Sequence, residues 1–233
     1  MTWDAHVAPL TTCLHAPLEG VQIHLICLPQ ANEGISAGTK ACLTDEEIRR
    51  AGRFAHWQDA HRYMAAHAAL RMLLAPLCEC APKDVPLEIQ PGGKPALPQM
   101  RPVHFNLSHS GAFALIAVHP SLEVGIDLEL HKPWHCMDDL ALNILSLAEM
   151  AAWQDGTPSE RSLSLFDAWT RKEACLKAVG TGLLVPPDQV ELGLPRSPSR
   201  GRWQTTADTV VEWIDLDLPL AEAHSACLAW IKP

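Results

Sequence analysis

One ordering of segments constrains this chain more than any other feature. A β-like run, helical stretches and further β-like runs follow one another, and after His119-Pro120 the same order begins again. Residues 21–28 are aliphatic, β-branched and partly alternating, which predicts a strand. Thr44 followed by Asp45, Glu46 and Glu47 predicts a helix start, because a threonine oxygen can cap free N–H groups and acids there complement the helix dipole. A long helix is expected over 56–80, with Tyr63, Met64, His67, Leu70, Leu74 and Leu77 as its apolar stripe. β-like pieces follow at 85–90, 103–107 and 112–118, separated by turns at 91–95 and 108–111. The second half predicts a strand at 124–130, helices at 138–153 and 161–179, and strands at 189–194, 210–216 and 226–231. The expected fold is α+β: two pseudo-symmetric lobes, residues 1–120 and 121–233, with a ligand cleft between them.

Charge narrows the function. Lys and Arg total 18 against 27 Asp and Glu, a net −9, the opposite of what a duplex-DNA binder needs to neutralise phosphates. An anionic ligand must then be held by a local cluster of bases or through a metal ion. No apolar run approaches the ~20 residues that span a bilayer. The start, from Met1 to His6, lacks the basic and apolar parts of a signal peptide. The 8 cysteines are scattered with no C-x-x-C pair, which predicts reduced, buried thiols and a cytoplasmic setting. His131, His135 and Cys136 lack a fourth partner for zinc.

Four motifs carry chemistry. In Val124-Gly-Ile-Asp-Leu-Glu-Leu130 the alternation of a strand puts Asp127 and Glu129 on one face, roughly 7 Å apart. Adjacent carboxylates repel, and a hard cation such as Mg2+ removes that penalty; two unrelated acids on a solvated strand are the ordinary alternative. Trp169, Glu173 and Lys177 stand at i, i+4, i+8 and so form one ridge of a helix, although Glu173 and Lys177 would also suit a plain surface pair capped by Gly180. Lys172 falls within that helix's apolar stripe and must reach a polar site or an anion. Gly92-Gly93-Lys94-Pro95 could bring backbone and charge to a phosphate, with Ser108 and His109 as further donors after a strand; a simple turn explains it equally. The spacing is not that of a Walker A loop. Arg49, Arg50, Arg53, His61, Arg62 and Arg71 form the densest run of bases, with Arg49 and Arg53 on one helix face.

Taken together, Gly93-Lys-Pro-x-x-Pro98, Phe105-Asn-Leu-Ser-His-Ser-Gly111, Val124-Gly-Ile-Asp-Leu-Glu129 and Trp169-Thr-Arg-Lys-Glu-Ala-Cys-Leu-Lys177, with Asp59-Ala-His-Arg62 upstream, resemble the 4'-phosphopantetheinyl transferase superfamily. The likeness is to its two-lobed type, which activates carrier proteins of peptide, polyketide and fatty-acid synthases. The resemblance implies transfer of phosphopantetheine from coenzyme A to a serine of an apo carrier protein, releasing adenosine 3',5'-bisphosphate. It implies Mg2+ on Asp127, Glu129 and Glu173, with Glu173 also helping to deprotonate the serine. Lys177 would meet the pyrophosphate; Lys94, Ser108 and His109 would contact coenzyme A; Arg62 would lie near the adenosine end, with Arg49 and Arg53 as further anion contacts. A monomer that binds neither nucleic acid nor membrane is expected. The alternative from the residues alone is a Mg2+-dependent nuclease or phosphohydrolase, against which the acidic balance stands.

Overall fold

The alternation in residues 124–130 is realised without a break: β7 (Val124–Leu130) buries Val124, Ile126 and Leu128 on one face and turns Gly125, Asp127 and Glu129 to the other. The computed structural model describes residues 11–30, 33–98, 103–134, 136–194 and 199–233, so the N-terminal hexapeptide and His135 lie outside the described residues. The chain forms two α+β lobes. The first holds β1 (Thr11–Leu14), β2 (Gln22–Cys27), α1 (Ala37–Ala41), α2 (Asp45–Ala51), α3 (Trp57–Cys78), a short ribbon of β3 (Glu88–Ile89) and β4 (Pro95–Ala96), β5 (His104–Ser110) and β6 (Phe113–His119). The second holds β7, α4 (Met137–Ile144), α5 (Leu147–Gln154), α6 (Pro158–Val179), β8 (Arg200–Gln204), β9 (Val210–Asp215) and β10 (His224–Ile231).

The two sheets are antiparallel and wired alike. Their orders are β1-β2-β6-β5 and β7-β10-β9-β8. In each, the strand that precedes the helices (β2, β7) pairs with the last strand (β6, β10), which pairs in turn with the strand before it (β5, β9). Each lobe contributes one helix of 22 residues, α3 and α6. Helix α3 packs on the first sheet through Leu70, Leu74, Phe105 and Ile116. The inner faces of the sheets meet through Ile23, Leu115, Ile126 and Leu228, and α6 covers the outer face of the second through Ala174, Ala178, Trp213 and Cys227. The layers therefore run helix, sheet, sheet, helix, and the edge strands β5 and β7 lie side by side.

Several boundaries differ from the sequence expectation. Residues 138–153 are two helices: Ser146 sits extended (ψ 166) and caps α5 in a capping box with Glu149. Residues 189–194 form no strand, because the Leu192 and Gly193 N–H groups donate to Glu149 Oε1 at 2.9 and 3.0 Å instead of to a ladder. Strands β1 and β8 were not foreseen. The expected 108–111 turn is shorter: β5 runs through Ser110, and the hairpin closes over Gly111-Ala112, with Gly111 at φ +57. Helix α2 stops at Ala51 with Gly52 as its cap, so Arg53 lies beyond it rather than on one helical face with Arg49. None of the helices among the described residues is long and apolar enough to cross a membrane.

Candidate active site

The seam between β5 and β7 is built from alternation. Asn106, Ser108 and Ser110 share one face of β5, and each reaches across to β7. Asn106 Oδ1 accepts from Ile126 N at 2.9 Å, Ser108 Oγ donates to Asp127 Oδ1 at 2.7 Å, and Ser110 Oγ donates to Glu129 Oε2 at 3.1 Å. Helix α6 completes the site from the other side. It approaches β7 so closely that a Cβ on Gly125 would lie 2.1 Å from Ala174 O and 2.3 Å from Ala178 N. Only glycine permits that contact, and the contact brings the ridge of α6 onto the acids. Lys177 Nζ donates to Asp127 Oδ1 at 2.5 Å and to Ser108 Oγ at 3.2 Å, and Trp169 Nε1 donates to Glu129 Oε1 at 3.1 Å. The ridge of Trp169, Glu173 and Lys177 is thus aimed at β7.

Electrostatics follow from this crowding. Burial pushes the Glu173 carboxyl above the usual range, with Asp127 and Glu129 adding to it and Lys177 opposing. Burial and the Asp127 charge likewise raise Glu129. Burial works against the Lys177 ammonium, yet the carboxylates of Asp127 and Glu173 win and hold its pKa above the ordinary value. Asp127 is 2 % exposed, and its Oδ2 has no hydrogen-bond partner; Glu173 Oε1 is buried in the same condition. Asp127 and Glu173 act on each other electrostatically, and a bound divalent cation would satisfy the oxygen left orphaned on each. Among the described residues no group of three or more His, Cys, Asp and Glu side chains is arranged to hold a metal ion.

Ser108 and His109, read together from sequence, point to opposite faces because they are consecutive strand residues. His109 lines a cleft of 350 Å3 with Arg50, Tyr63, His67, Gly93 and Leu107. Burial lowers its pKa, and the charges of His67 and Lys177 lower it further. Arg62, whose buried Nε has no partner, also acts on His109. An adjoining cleft is lined by Arg49 and Arg53 and shares Glu46, Arg50 and Phe54 with the first. Arg50 therefore faces both clefts and lies 5.4 Å from the Tyr63 ring centroid. Sequence reading put Arg50 in the basic run but not among the site residues.

Three bases are engaged elsewhere. Lys94 is buried, donating to Glu123 Oε2 at 2.7 Å and to Val124 O at 2.9 Å, so its ammonium ties the glycine turn to the second lobe. Burial lowers its pKa against the pull of Glu123. Gly92 abuts the C-terminal end of α6, where an added Cβ would meet Gly180 O at 1.9 Å, whereas Gly93 (φ +85) borders the cleft with nothing within 4 Å. Arg71 is a structural clamp: its Nε holds Glu47, and its Nη1 donates to the carbonyls of Pro82, Lys83 and Val85. Lys172 finds its polar site in Glu149, with Ile144 O and Pro187 O as further acceptors. His131 Nε2 lies 2.8 Å from Ser225 Oγ and its ring stacks on Phe166, while Cys136 is an exposed thiol. Behind Trp169 a pocket of 480 Å3 opens beside Glu129, walled by Trp134, Leu140, Ile144 and Phe166.

The fold and site define a two-lobed α+β protein whose buried acids and lysine gather at the seam between the lobes. A family model for the 4'-phosphopantetheinyl transferase superfamily matches residues 123–226, and one for the N-terminal part of 4'-phosphopantetheinyl transferases matches residues 31–121. A putative 4'-phosphopantetheinyl transferase of Synechocystis sp. is 30% identical over 184 residues, covering 75% of this chain and 75% of the relative. A 4'-phosphopantetheinyl transferase of Bacillus subtilis is 32% identical over 164 residues (69% and 72%), and the transferase HetI of Nostoc sp. is 30% identical over 184 residues (77% of each). The chain belongs to the 4'-phosphopantetheinyl transferase superfamily and is a transferase of that type.

Proposed function

We propose that this chain transfers the 4'-phosphopantetheine group of coenzyme A to a serine of an apo acyl, peptidyl or aryl carrier protein, releasing adenosine 3',5'-bisphosphate, with Mg2+ as cofactor. The observation that carries this reading is an orphaned oxygen on each of Asp127 and Glu173, two carboxylates that both act on the Lys177 ammonium. Asp127 and Glu173, with Glu129 next to them, would hold the cation, which when bound neutralises charge on the pyrophosphate.

The chain's own residues supply the rest. Lys177 stands where it can meet charge that develops on the leaving phosphate, and Ser108 keeps that lysine and Asp127 in register. Such positioning is most of what phosphoryl transfer asks of a protein. Glu173 would also accept the proton of the attacking serine, directly or through a water. His109 and Arg50, with Arg49 and Arg53 in the adjoining cleft and Arg62 near enough to act on His109, offer donors for the adenosine phosphates. The pocket behind Trp169, with aromatic walls and Asn143 beside them, suits the gem-dimethyl and amide groups of the pantetheine arm. Lys94 would act through the glycine turn it anchors. The lobe division at residues 120 and 121, a monomeric state and a cytoplasmic setting belong to the same proposal; of the thiols expected to be buried, Cys42, Cys78, Cys175 and Cys227 are, whereas Cys13, Cys27 and Cys136 are exposed.

The test is intact mass of an apo carrier protein incubated with the chain, coenzyme A and Mg2+. A gain of one phosphopantetheine is expected, and it should vanish in excess EDTA and with Asp127→Ala. No gain with acyl, peptidyl or aryl carriers overturns the reading.

A further inference from the structure

We propose that His131 is a positioning residue for capture of the pantetheine arm: tethered through Ser225 to Asp167, it props the aromatic wall of Phe166 and Trp134 that borders the pocket behind Trp169. The proposal rests on the transferase reading, and it gives a use to a histidine that the sequence offers only as part of an incomplete zinc set.

Strand alternation carries His131 into the row that faces α6. Asp127 and Glu129 belong to that row, and His131 is the next residue of the same parity, just past the end of β7, where its N–H still donates to Ala223 O at 2.9 Å. Each member of the row meets α6 in turn. Asp127 meets Lys177, Glu129 meets Trp169, and the His131 ring stacks on Phe166, with centroids 4.4 Å and planes 21° apart. Phe166 packs in turn against Trp134, with centroids 4.2 Å apart. Phe166 and Trp134 both wall the 480 Å3 pocket beside Glu129 and Trp169.

Packing alone does not hold the His131 ring. It also borders a cleft of 600 Å3, shared with Leu163, Asp167, Ser225 and the 215–224 segment, so the ring lacks the dense surroundings of a core. Hydrogen bonds hold it instead. Ser225 stands opposite Glu129 on β10, and its Oγ gives its single proton to Asp167 Oδ1 at 2.5 Å. His131 Nε2, 2.8 Å from the same oxygen, must then be the donor to it. Asp167 lies 3.8 Å from Arg171 Nη2, which Asp215 binds at 2.7 Å, so the tether ends on a buried ion pair. That tether fixes the plane of the imidazole, and the imidazole fixes Phe166 against Trp134. A flexible arm loses conformational freedom on binding, and a preformed wall lowers that cost. The wall touches neither the acids' free oxygens nor Lys177, so its loss should weaken capture of the arm and spare the chemical step.

Calorimetry with coenzyme A and with adenosine 3',5'-bisphosphate, which lacks the arm, separates this role from general damage when both are titrated in Mg2+. His131→Ala should weaken coenzyme A by about tenfold and Ser225→Ala by about threefold, while the bisphosphate stays within about twofold. In carrier modification the KM for coenzyme A should rise by about the same factors, with kcat kept within about threefold. Melting temperatures identify any variant that fails to fold. His131→Gln, which keeps a donor for Ser225 and lacks the ring, carries the test if His131→Ala is lost, and it too should weaken coenzyme A by about threefold or more. Unchanged coenzyme A affinity in a folded His131 variant overturns the proposal. So does an equal loss for the bisphosphate, which makes the effect one on the whole site rather than on the arm. Wild-type chain that binds coenzyme A yet modifies no carrier would instead count against the transferase reading, so the two failures are distinguishable.

Discussion

Glu47 illustrates how one residue is legible in part. Its place in the first turn of α2 and its capping box with Thr44 follow from local sequence. Its second role does not: Arg71, 24 residues on, donates to its carboxylate at 2.8 Å, and His67 Nδ1 lies at 3.3 Å. Burial alone would raise its pKa, but the His67, Thr44 and Arg71 hydrogen bonds outweigh it and hold Glu47 at about 2, against an ordinary 4.5. A folded-state pKa below the unfolded one gives stability that is present above pH 4.5 and lost as pH falls towards 2. That contribution is about 3 kcal/mol by linkage. The melting temperature should therefore drop through that window, and Glu47→Gln should flatten the drop while lowering stability at pH 7. Lys172 makes a second residue-level case. Its place in an apolar stripe announced a buried partner, but only packing revealed Glu149. Lys172→Met leaves that acid buried without its cation, and chemical denaturation should register a loss of about 3 kcal/mol, with Glu149→Gln added to it recovering part.

At the scale of elements, strand alternation was the most informative signal. It fixed β7 without error, and applied to residues 104–110 it also places Asn106, Ser108 and Ser110 on one face. Reading Ser108 and His109 as a turn hid that row, because the hairpin closes at Gly111 only when β6 is in register. Helix α6 was equally legible as a ridge, but its closeness to β7 was not, since Gly125 looks like any strand glycine until a helix backbone lies on it. Gly125→Ala should force α6 away from the acids, costing about 3 kcal/mol or more and most of the transfer activity. Gly93→Ala, in open space but at φ +85, should cost only about 1 kcal/mol of backbone strain. Thermal unfolding and carrier-modification rates of the two variants provide the comparison.

For the whole molecule, the repeat of element order pointed to two lobes, and the shared wiring of the two sheets bears it out. Beside the apolar inner faces of the sheets, a polar row on β5 laid against β7 joins the lobes, with Lys94 and Glu123 tied across the same seam. Asn106→Ala strands the buried Ile126 N–H and should cost about 1–3 kcal/mol. Hydrogen exchange at β7 amides should quicken before exchange within α3 does, and equal effects in both would mean that the seam is no weak point. The sequence by itself determined the strands and helices that carry the chemistry, the acids on one strand face and the ridge opposite them, because periodicity is local and follows from backbone geometry. The tertiary structure alone decided which charges remain for a ligand. Arg71, Lys94 and Lys172 are spent on buried partners, while Asp127 and Glu173 each keep an oxygen free. That choice depends on which distant groups share a desolvated space, and no spacing along the chain encodes it.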